Sequence, residues 1–382
     1  MKLRKDKWEK VKIKDCCQIL DNLRKPISAI EREKRIEHKC QDELFPYYGA
    51  TGLVGWIDDY LIDDEYVLIG EDGAPFFDKS KDIAYLISGK SWVNNHVHIL
   101  KAKPEIADDK FILHYLNSFN DFGGYVNGTT RLKLNKGQLE RIPIPLPPLS
   151  EQKQIAALFQ SIETAMEQVD RQEKNLKALQ KSLVNGLMSK EPVFGNLLNS
   201  KNCTPATFGE IAECDKKYPE HEKEVERFVG LEWIETDNFQ LQGFGLVANG
   251  TTFTKRFAKG DVLFGKRRAY LKKVAIADFD GICSGDILVI RAKAKKMLQG
   301  LLPYYISADA FIQHAVSTSA GSLSPRTKWK DLADFEVSIP DLKTQEKILE
   351  VFQQLTDTIN QLKQQKTTLK LLKQKLLNEI LG

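Results

Sequence analysis

A large excess of charge of either sign is missing from this chain. Among 382 residues, 56 Lys and Arg face 52 Asp and Glu, leaving a formal net charge of +4. That excludes a polycation that coats nucleic acid by bulk charge; any basic binding surface has to be local, or completed by partners. Long apolar runs are missing too. No stretch of about 18 or more apolar residues occurs, so no membrane-spanning helix is expected. The first residues, Met1–Lys10, lack the apolar centre of a secretory signal, which points to the cytoplasm. The six cysteines (Cys16, Cys17, Cys40, Cys203, Cys214, Cys283) form no CxxC pair. Neither a structural zinc site nor a disulfide framework is expected from that spacing, and a reducing compartment fits it. His96 and His98 share one face of a predicted strand, but no third ligand accompanies them, so no metal site is expected there.

Catalytic motifs are also incomplete. The run from Gly260 to Lys266 has Walker A spacing, but Arg267 stands where a Ser or Thr would hold Mg²⁺. Gly89-Lys-Ser91 has Ala84 in place of the first glycine of that motif, and Gly243-Phe-Gly245 is not followed by a glycine that opens a helix. No Asn/Asp-Pro-Pro-Tyr motif for amino-methyl transfer is present; Pro147-Pro148 leads into Leu149. No catalytic residue and no cofactor of its own are expected for the chain.

What is present is an internal repeat. A shift of 193 residues, Pro147 onto Pro340, lays Gln152 on Gln345, Ile155 on Ile348, Phe159-Gln160 on Phe352-Gln353, Leu176-Lys177 on Leu369-Lys370, and Asn185 on Asn378. Gly128 lies over Gly321 at the same offset. Further upstream the offset drifts by a few residues but the order holds: Val67–Gly70 resembles Val262–Gly265, and His96–Lys103 resembles Asp286–Lys293. Each half therefore reads as a mixed α/β globule followed by one long helix, an α+β chain. Alternating runs at Tyr66–Ile69 and Asp286–Ile290 suit strands, and short helices are expected near Ile112–Leu116 and Leu302–Ile306.

The long helices carry apolar residues at steps of three and four: Ile155, Phe159, Ile162, Met166, Val169, Leu176, Leu179, Leu183 and Leu187 in the first, Ile348, Phe352, Leu355, Ile359, Leu362, Leu369, Leu372, Leu376 and Ile380 in the second. That is the seam of a coiled coil. Burying one such side chain is worth about 1.5–3 kcal/mol, so neither stripe can stay in water. Because each helix follows its own globule, a pseudo-twofold arrangement makes the pair antiparallel. Glu173 and Lys366 interrupt the two seams at matching positions and are expected to meet and fix the register. The alternative is two unrelated solvated charges, since surface ion pairs contribute little. The resulting segments are a first globule at 1–148, a first long helix at 149–190, a linker at 191–203 with Pro192 and Gly195, a second globule at 204–340, and a second long helix at 341–382.

Two unlike globules on a rigid helical spacer suit a bipartite, non-palindromic DNA site. At this point the chain resembles the specificity subunits of type I restriction–modification systems. The resemblance spans nearly the whole sequence. It rests on Pro147-Pro-Leu-Ser-Glu-Gln152 leading into a long helix, on Phe45–Gly52, Ile69–Gly73 and Trp92–His96 in the first half, and on Phe228–Glu232 and Gly260–Lys266 in the second. The second helix start, Pro340-Asp-Leu-Lys-Thr-Gln345, lacks the second proline and the glutamate. The resemblance implies two target-recognition domains separated by a pair of long antiparallel coiled-coil helices. It implies binding to double-stranded DNA and to two modification (methyltransferase) subunits along the helices, with restriction subunits in the full complex. S-adenosylmethionine, ATP and Mg are then expected on the partner subunits. Two other readings stay open: a stand-alone DNA-modifying enzyme, and a coiled-coil adaptor without DNA binding.

The candidate DNA contacts are cationic, amide and tyrosine side chains near predicted strand ends. Lys266, Arg267 and Arg268 with Tyr270 form the strongest cluster; arginine can read guanine bidentately, and either cation can hold phosphate. Lys255 and Arg256 are a weaker second pair. In the first half, Asn94, Asn95 and His96 and the tyrosines Tyr47 and Tyr48 are candidates. Equally, Tyr47 and Trp92 suit a core, and the Asn pair suits a turn. Arg131 and Arg326 each follow the matched glycine, placed for phosphate or for a salt bridge to the helix start.

Overall fold

The computed structural model describes residues 5–78, 81–189, 194–195, 197–198, 202–215 and 224–382. It divides into two compact units, Met1–Asp170 with Gln364–Gly382, and Arg171–Lys363. Both long helices, Leu149–Leu187 and Leu342–Ile380, are 39 residues long, about 58 Å at 1.5 Å per residue. Contacts divide each of them between the units.

The first unit is built on two four-stranded sheets. One orders Cys17–Ile19, Val97–Ala102, Tyr66–Gly70 and Ala84–Ile87, all antiparallel. The other orders Gly52–Ile57, Phe45–Gly49, Lys90–Val93 and Ile62–Asp63, with the central pair parallel. The second unit repeats this plan strand for strand. Ala212–Cys214, Ile287–Ala292, Val262–Gly265 and Val274–Ile276 form the antiparallel sheet. Gly245–Leu246, Arg227–Val229, Gly281–Cys283 and Lys255–Phe257 form the mixed one, again parallel at its centre. Short helices at Asp109–Ser118 and Leu302–Ser307 lie where the sequence placed them. The repeat in sequence is thus a repeat in topology.

In the first unit, Ile155 and Phe159 share a core with Phe111, Ile112, Leu377 and Ile380. In the second, Val184 and Leu187 share one with Ile348, Phe352, Tyr305 and Phe311, and Tyr304 stacks on Phe352 at 3.9 Å. The helices run antiparallel in each unit. Glu163 meets Lys373 at 2.9 Å and, further along, Asp170 meets Lys366; in the other unit Gln180 Nε2 donates to Thr356 Oγ1 at 3.3 Å.

Of the predicted seam, Ile155, Phe159, Ile162, Val169, Leu187, Ile348, Phe352, Ile359, Leu362 and Ile380 are buried, and Met166, Leu176, Leu183, Leu355, Leu369 and Leu376 are half-buried. Leu179 and Leu372 are exposed at 47% and 42%, while Val184 and Leu377, which the sequence pattern left out, are buried. A straight helix drifts about 20° per heptad against a 3.5-residue repeat, so the stripe rotates onto new positions by its far end. The expected Glu173–Lys366 register pair is replaced. Lys366 bonds Asp170, and Glu173 pairs with Lys177 at 2.6 Å along its own helix. The stagger of facing antiparallel helices offers Lys366 the carboxylate one turn before Glu173.

Part of the expected linker at 191–203 lies outside the described residues. Within its described part, Phe194 and Leu198 are buried in the second core, the Phe194 ring 5.3 Å from that of Phe352.

A glutamine anchors each long helix to its globule. Gln152 is fully buried; its Oε1 accepts from the Asp108 N–H at 3.0 Å, and its Nε2 donates to the Ile106 and Pro147 carbonyls. Gln345 repeats the pattern with the Leu298 N–H and the Lys296 and Pro340 carbonyls. The second start therefore docks as the first does, without the second proline or the glutamate.

Candidate nucleic-acid interface

In the second unit, three chain segments converge at the end of the strand Val262–Gly265. The first is Lys266–Arg268, immediately after that strand. Asp286, which precedes Ile287–Ala292, is the second; its carbonyl accepts from the Lys266 N–H at 2.9 Å. The third is the loop 320–326, bridged to the first through Arg267 and Arg326. Gly321, at φ +112°, makes the turn that starts this loop, a conformation L side chains avoid. Arg268 and Lys272 also adopt left-handed conformations and bound the short turn Ala269–Leu271. The Arg268 N–H is tied to the Pro325 carbonyl at 2.8 Å.

Asp286 is the electrostatic centre of this junction. Arg326 grips it side-on, Nε to Oδ1 at 2.6 Å and Nη2 to Oδ2 at 3.2 Å, and Arg267 Nη1 lies 3.6 Å away. The Arg326 bond holds the Asp286 carboxyl below its ordinary range. Arg267 is further fixed by Ser324, whose Oγ accepts from Nε and Nη2 at 3.3 and 3.0 Å. Arg268, Tyr270 and Leu323 are exposed around the junction, Leu323 at 88%. Two arginines against one carboxylate leave a local excess of positive charge.

The first unit builds the same junction with different chemistry. The Glu71 N–H donates to the His96 carbonyl at 2.8 Å, the counterpart of the Lys266–Asp286 bond. Asp72 is bridged to Lys133 as Arg267 is to Arg326. So Asp72 stands where Arg267 stands, His96 where Asp286 stands, and Lys133 where Arg326 stands. Arg131 is not the counterpart of Arg326, although both follow a matched glycine. Gly128, at φ +102°, passes so close to the Arg131 carbonyl that a Cβ would sit 2.4 Å from its oxygen. Asp72 is the acid here: Arg131 Nη2 lies at 2.7 Å and His96 Nδ1 at 2.9 Å. Lys133 pairs with Glu71 at 3.1 Å. Burial acts to raise the Glu71 carboxyl, and the bonds to Arg24 and Lys133 outweigh it, holding it below its ordinary range. Arg131 and Arg326 both make salt bridges, but to these loop carboxylates and not to the helix starts.

Several of the predicted contact residues have partners within the fold. Tyr47 and Trp92 are buried together with Ile57, and Trp92 Nε1 donates to the Lys25 carbonyl. Tyr48 is half-buried beside Tyr85. Asn94 is buried in a turn, its Oδ1 accepting from the His96 N–H at 2.8 Å, and Asn95 is the exposed member of that turn. His98 is spent on the Asp21 carboxylate and the Leu134 carbonyl, each at 2.7 Å. Lys255 braces Asp215 and the Ile287 carbonyl, and Arg256 is half-buried near Glu224 and Phe253 along a cleft wall. Among the described residues no group of three or more His, Cys, Asp or Glu stands where it could hold a metal ion. No helix among them is long and apolar enough to cross a membrane.

Sequence reasoning missed a second charged surface in the first unit, where arginines lie over aromatic rings. The helix Ala29–Ile36, capped by Ser28 accepting from the Glu31 N–H at 3.1 Å, buries none of its residues. Arg32 lies over the Tyr47 ring at 4.8 Å and Arg35 over Trp92 at 5.2 Å, with Asp58 2.6 Å from Arg35. Beside it, the hairpin tip residues Leu53 and Val54 are exposed. Ser28 followed three residues later by Glu31 is the sequence signal for this helix.

A model of the type I restriction modification DNA specificity domain matches residues 5–178 and, again, 202–371. The chain is 34% identical to a putative type I restriction enzyme specificity subunit of Haemophilus influenzae over 39% of its own length and 35% of that protein's. It is 23% identical to the EcoDI specificity subunit of Escherichia coli, over 83% of this chain and 77% of that one. It is 21% identical to the MjaVIII specificity subunit of Methanocaldococcus jannaschii, over 98% and 92%. Its fold resembles that of the type I S subunit from M. genitalium, with TM-score 0.61 at 16% identity over 99% of this chain and 97% of that one. It also resembles a chain from a structure on complex assembly and conformational transition of the type I R-M system, with TM-score 0.55 at 14% identity over 97% of each. With both copies of the domain falling on the two repeated α/β units, the chain belongs to the type I restriction–modification DNA specificity family.

Proposed function

We propose that this chain selects the DNA site of a type I restriction–modification complex in the cytoplasm and performs no chemistry itself. Each unit reads one half of a bipartite, asymmetric site, and the long helices carry two modification subunits. Those subunits supply S-adenosylmethionine and methylate adenine; restriction subunits supply the ATP- and Mg-dependent steps.

The observation that carries this reading is the pair of homologous loop junctions with unlike side chains. One topology, used twice, presents Asp72, His96, Arg131 and Lys133 in one unit and Arg267, Asp286 and Arg326 in the other. Equal scaffolds with unequal hydrogen-bonding groups suit two different short sequences. Exposed apolar side chains on the helices, Leu179 in one and Leu371 and Leu372 in the other, support docking of further subunits there.

The test is a gel shift with this chain alone and with its modification subunits, followed by single-molecule sequencing of methylated adenines. A bipartite motif methylated only when this chain is present is the expected result. Methylation at the same sites without it, or none that depends on sequence, rejects the reading.

A further inference from the structure

We infer that Arg326 is a guanine-reading arginine of the second unit, held in place by Asp286; the inference rests on the DNA-recognition reading above. A guanidinium carries five N–H donors in a fixed plane. Asp286 occupies the side edge of Arg326 through Nε and Nη2, and Nη1 lies 3.4 Å from the Ser324 carbonyl. That leaves one N–H on each terminal nitrogen without a partner among the described residues. The side chain is 47% exposed, so these N–H groups are within reach of a ligand.

The geometry favours a base over a phosphate. A fork of two parallel N–H donors matches the O6 and N7 acceptors of guanine in the major groove. Phosphate attraction depends on net charge, and a carboxylate bonded to the same guanidinium removes much of that advantage while leaving the fork intact. An acid 2.6 Å from the reading group also repels a phosphate brought to the same point. Asp286 thus acts as a positioning residue, and Ser324 does the same for Arg267 alongside.

The first unit lacks this device. Lys133 takes the place of Arg326 and has no planar fork, His96 takes the place of Asp286, and Arg131 is held through one bond only. The guanine contact inferred for Arg326 therefore belongs to the half-site of the second unit.

The experiment uses the full chain assembled with its modification subunits, a library of randomised DNA and a map of methylated adenines. The wild type should require guanine at one position of one half-site. Arg326→Ala and Arg326→Lys should each relax that position about ten-fold or more, and leave the other half-site unchanged. Lysine keeps the charge but not the fork, so its failure to rescue separates base reading from phosphate binding. Asp286→Asn should relax the same position partially and leave the other half-site and the melting temperature unchanged, a pattern that a merely structural acid would not give. The inference is overturned if Arg326→Lys reads as wild type, if Arg326→Ala weakens all sequences alike with a shallower salt dependence, or if neither wild-type half-site contains a required guanine. Absence of any sequence-dependent methylation by the wild-type complex would instead remove the broader reading.

Discussion

Gln345 donates from Nε2 to the carbonyl of Pro340 at 2.9 Å, five residues earlier in the chain, and so closes the start of the second long helix onto the strand that feeds it. The same amide also serves the Lys296 carbonyl and the Leu298 N–H. Replacing it by Ala leaves these buried groups unsatisfied, each at about 1–3 kcal/mol. Gln345→Ala is expected to destabilise the chain by about 2 kcal/mol or more in urea unfolding. Gln345→Glu should not restore it, because a carboxylate cannot donate to the two carbonyls. A change within about 0.5 kcal/mol, the range of ordinary surface substitutions, would show that the anchor is dispensable.

His114 makes stability depend on pH. It is buried, its ring 4.9 Å from that of Phe159, and burial, reinforced by Lys373, lowers its pKa from 6.5 to about 4. The folded ring binds a proton less tightly than the unfolded one, so acid favours unfolding. The contribution is complete above pH 6.5 and is lost as pH falls from 6.5 to about 4. A shift of this size corresponds to about 3 kcal/mol. Thermal melts across this range should fall more steeply for the wild type than for His114→Phe, and parallel curves would contradict the assignment.

Phe352 is fully buried, stacked on Tyr304 and within reach of the Phe194 ring. Truncation to Ala removes these contacts and opens a cavity, at a cost of about 3–5 kcal/mol. Denaturant unfolding of Phe352→Ala should show it, with Phe352→Leu recovering most of the loss.

Asp170 and Lys366 are 49% and 31% exposed, so their ion pair is screened by water. A double-mutant cycle should give a coupling below about 1 kcal/mol that shrinks with salt. The same cycle on Glu173 and Lys366 should give almost none, since Glu173 is engaged by Lys177.

Leu371 and Leu372 are exposed at 68% and 42%. Changing both to Glu removes no core contact, so the melting temperature should hold while co-purification of a modification subunit drops about ten-fold or more. Unaltered co-purification would move the docking surface elsewhere.

The repeat and the seam were legible because both rest on periodicity, which the chain carries locally. Ile155, Phe159, Ile348 and Phe352 could be placed inside from spacing alone. The far seam was misread at Leu179 and Leu372, because a strict heptad ignores the rotation that brings Val184 and Leu377 inward. Among the candidate DNA contacts, Lys266–Arg268 and Arg326 were found as cations near strand ends. Tyr47, Asn94 and Lys255 were chosen by the same rule, and the structure places Tyr47 and Asn94 in the interior and Lys255 against Asp215, since residue type does not reveal which side of a strand faces the core.

The amino-acid order by itself determined two copies of one α/β plan, each followed by a helix with a buried stripe, because hydrophobic spacing and chain order are properties of neighbours in sequence. Only the tertiary structure decided which charges meet. Asp286 joins Arg267 and Arg326 because loops distant in sequence close at one strand end. Electrostatic partners are set by distance in space, and no local pattern encodes that distance.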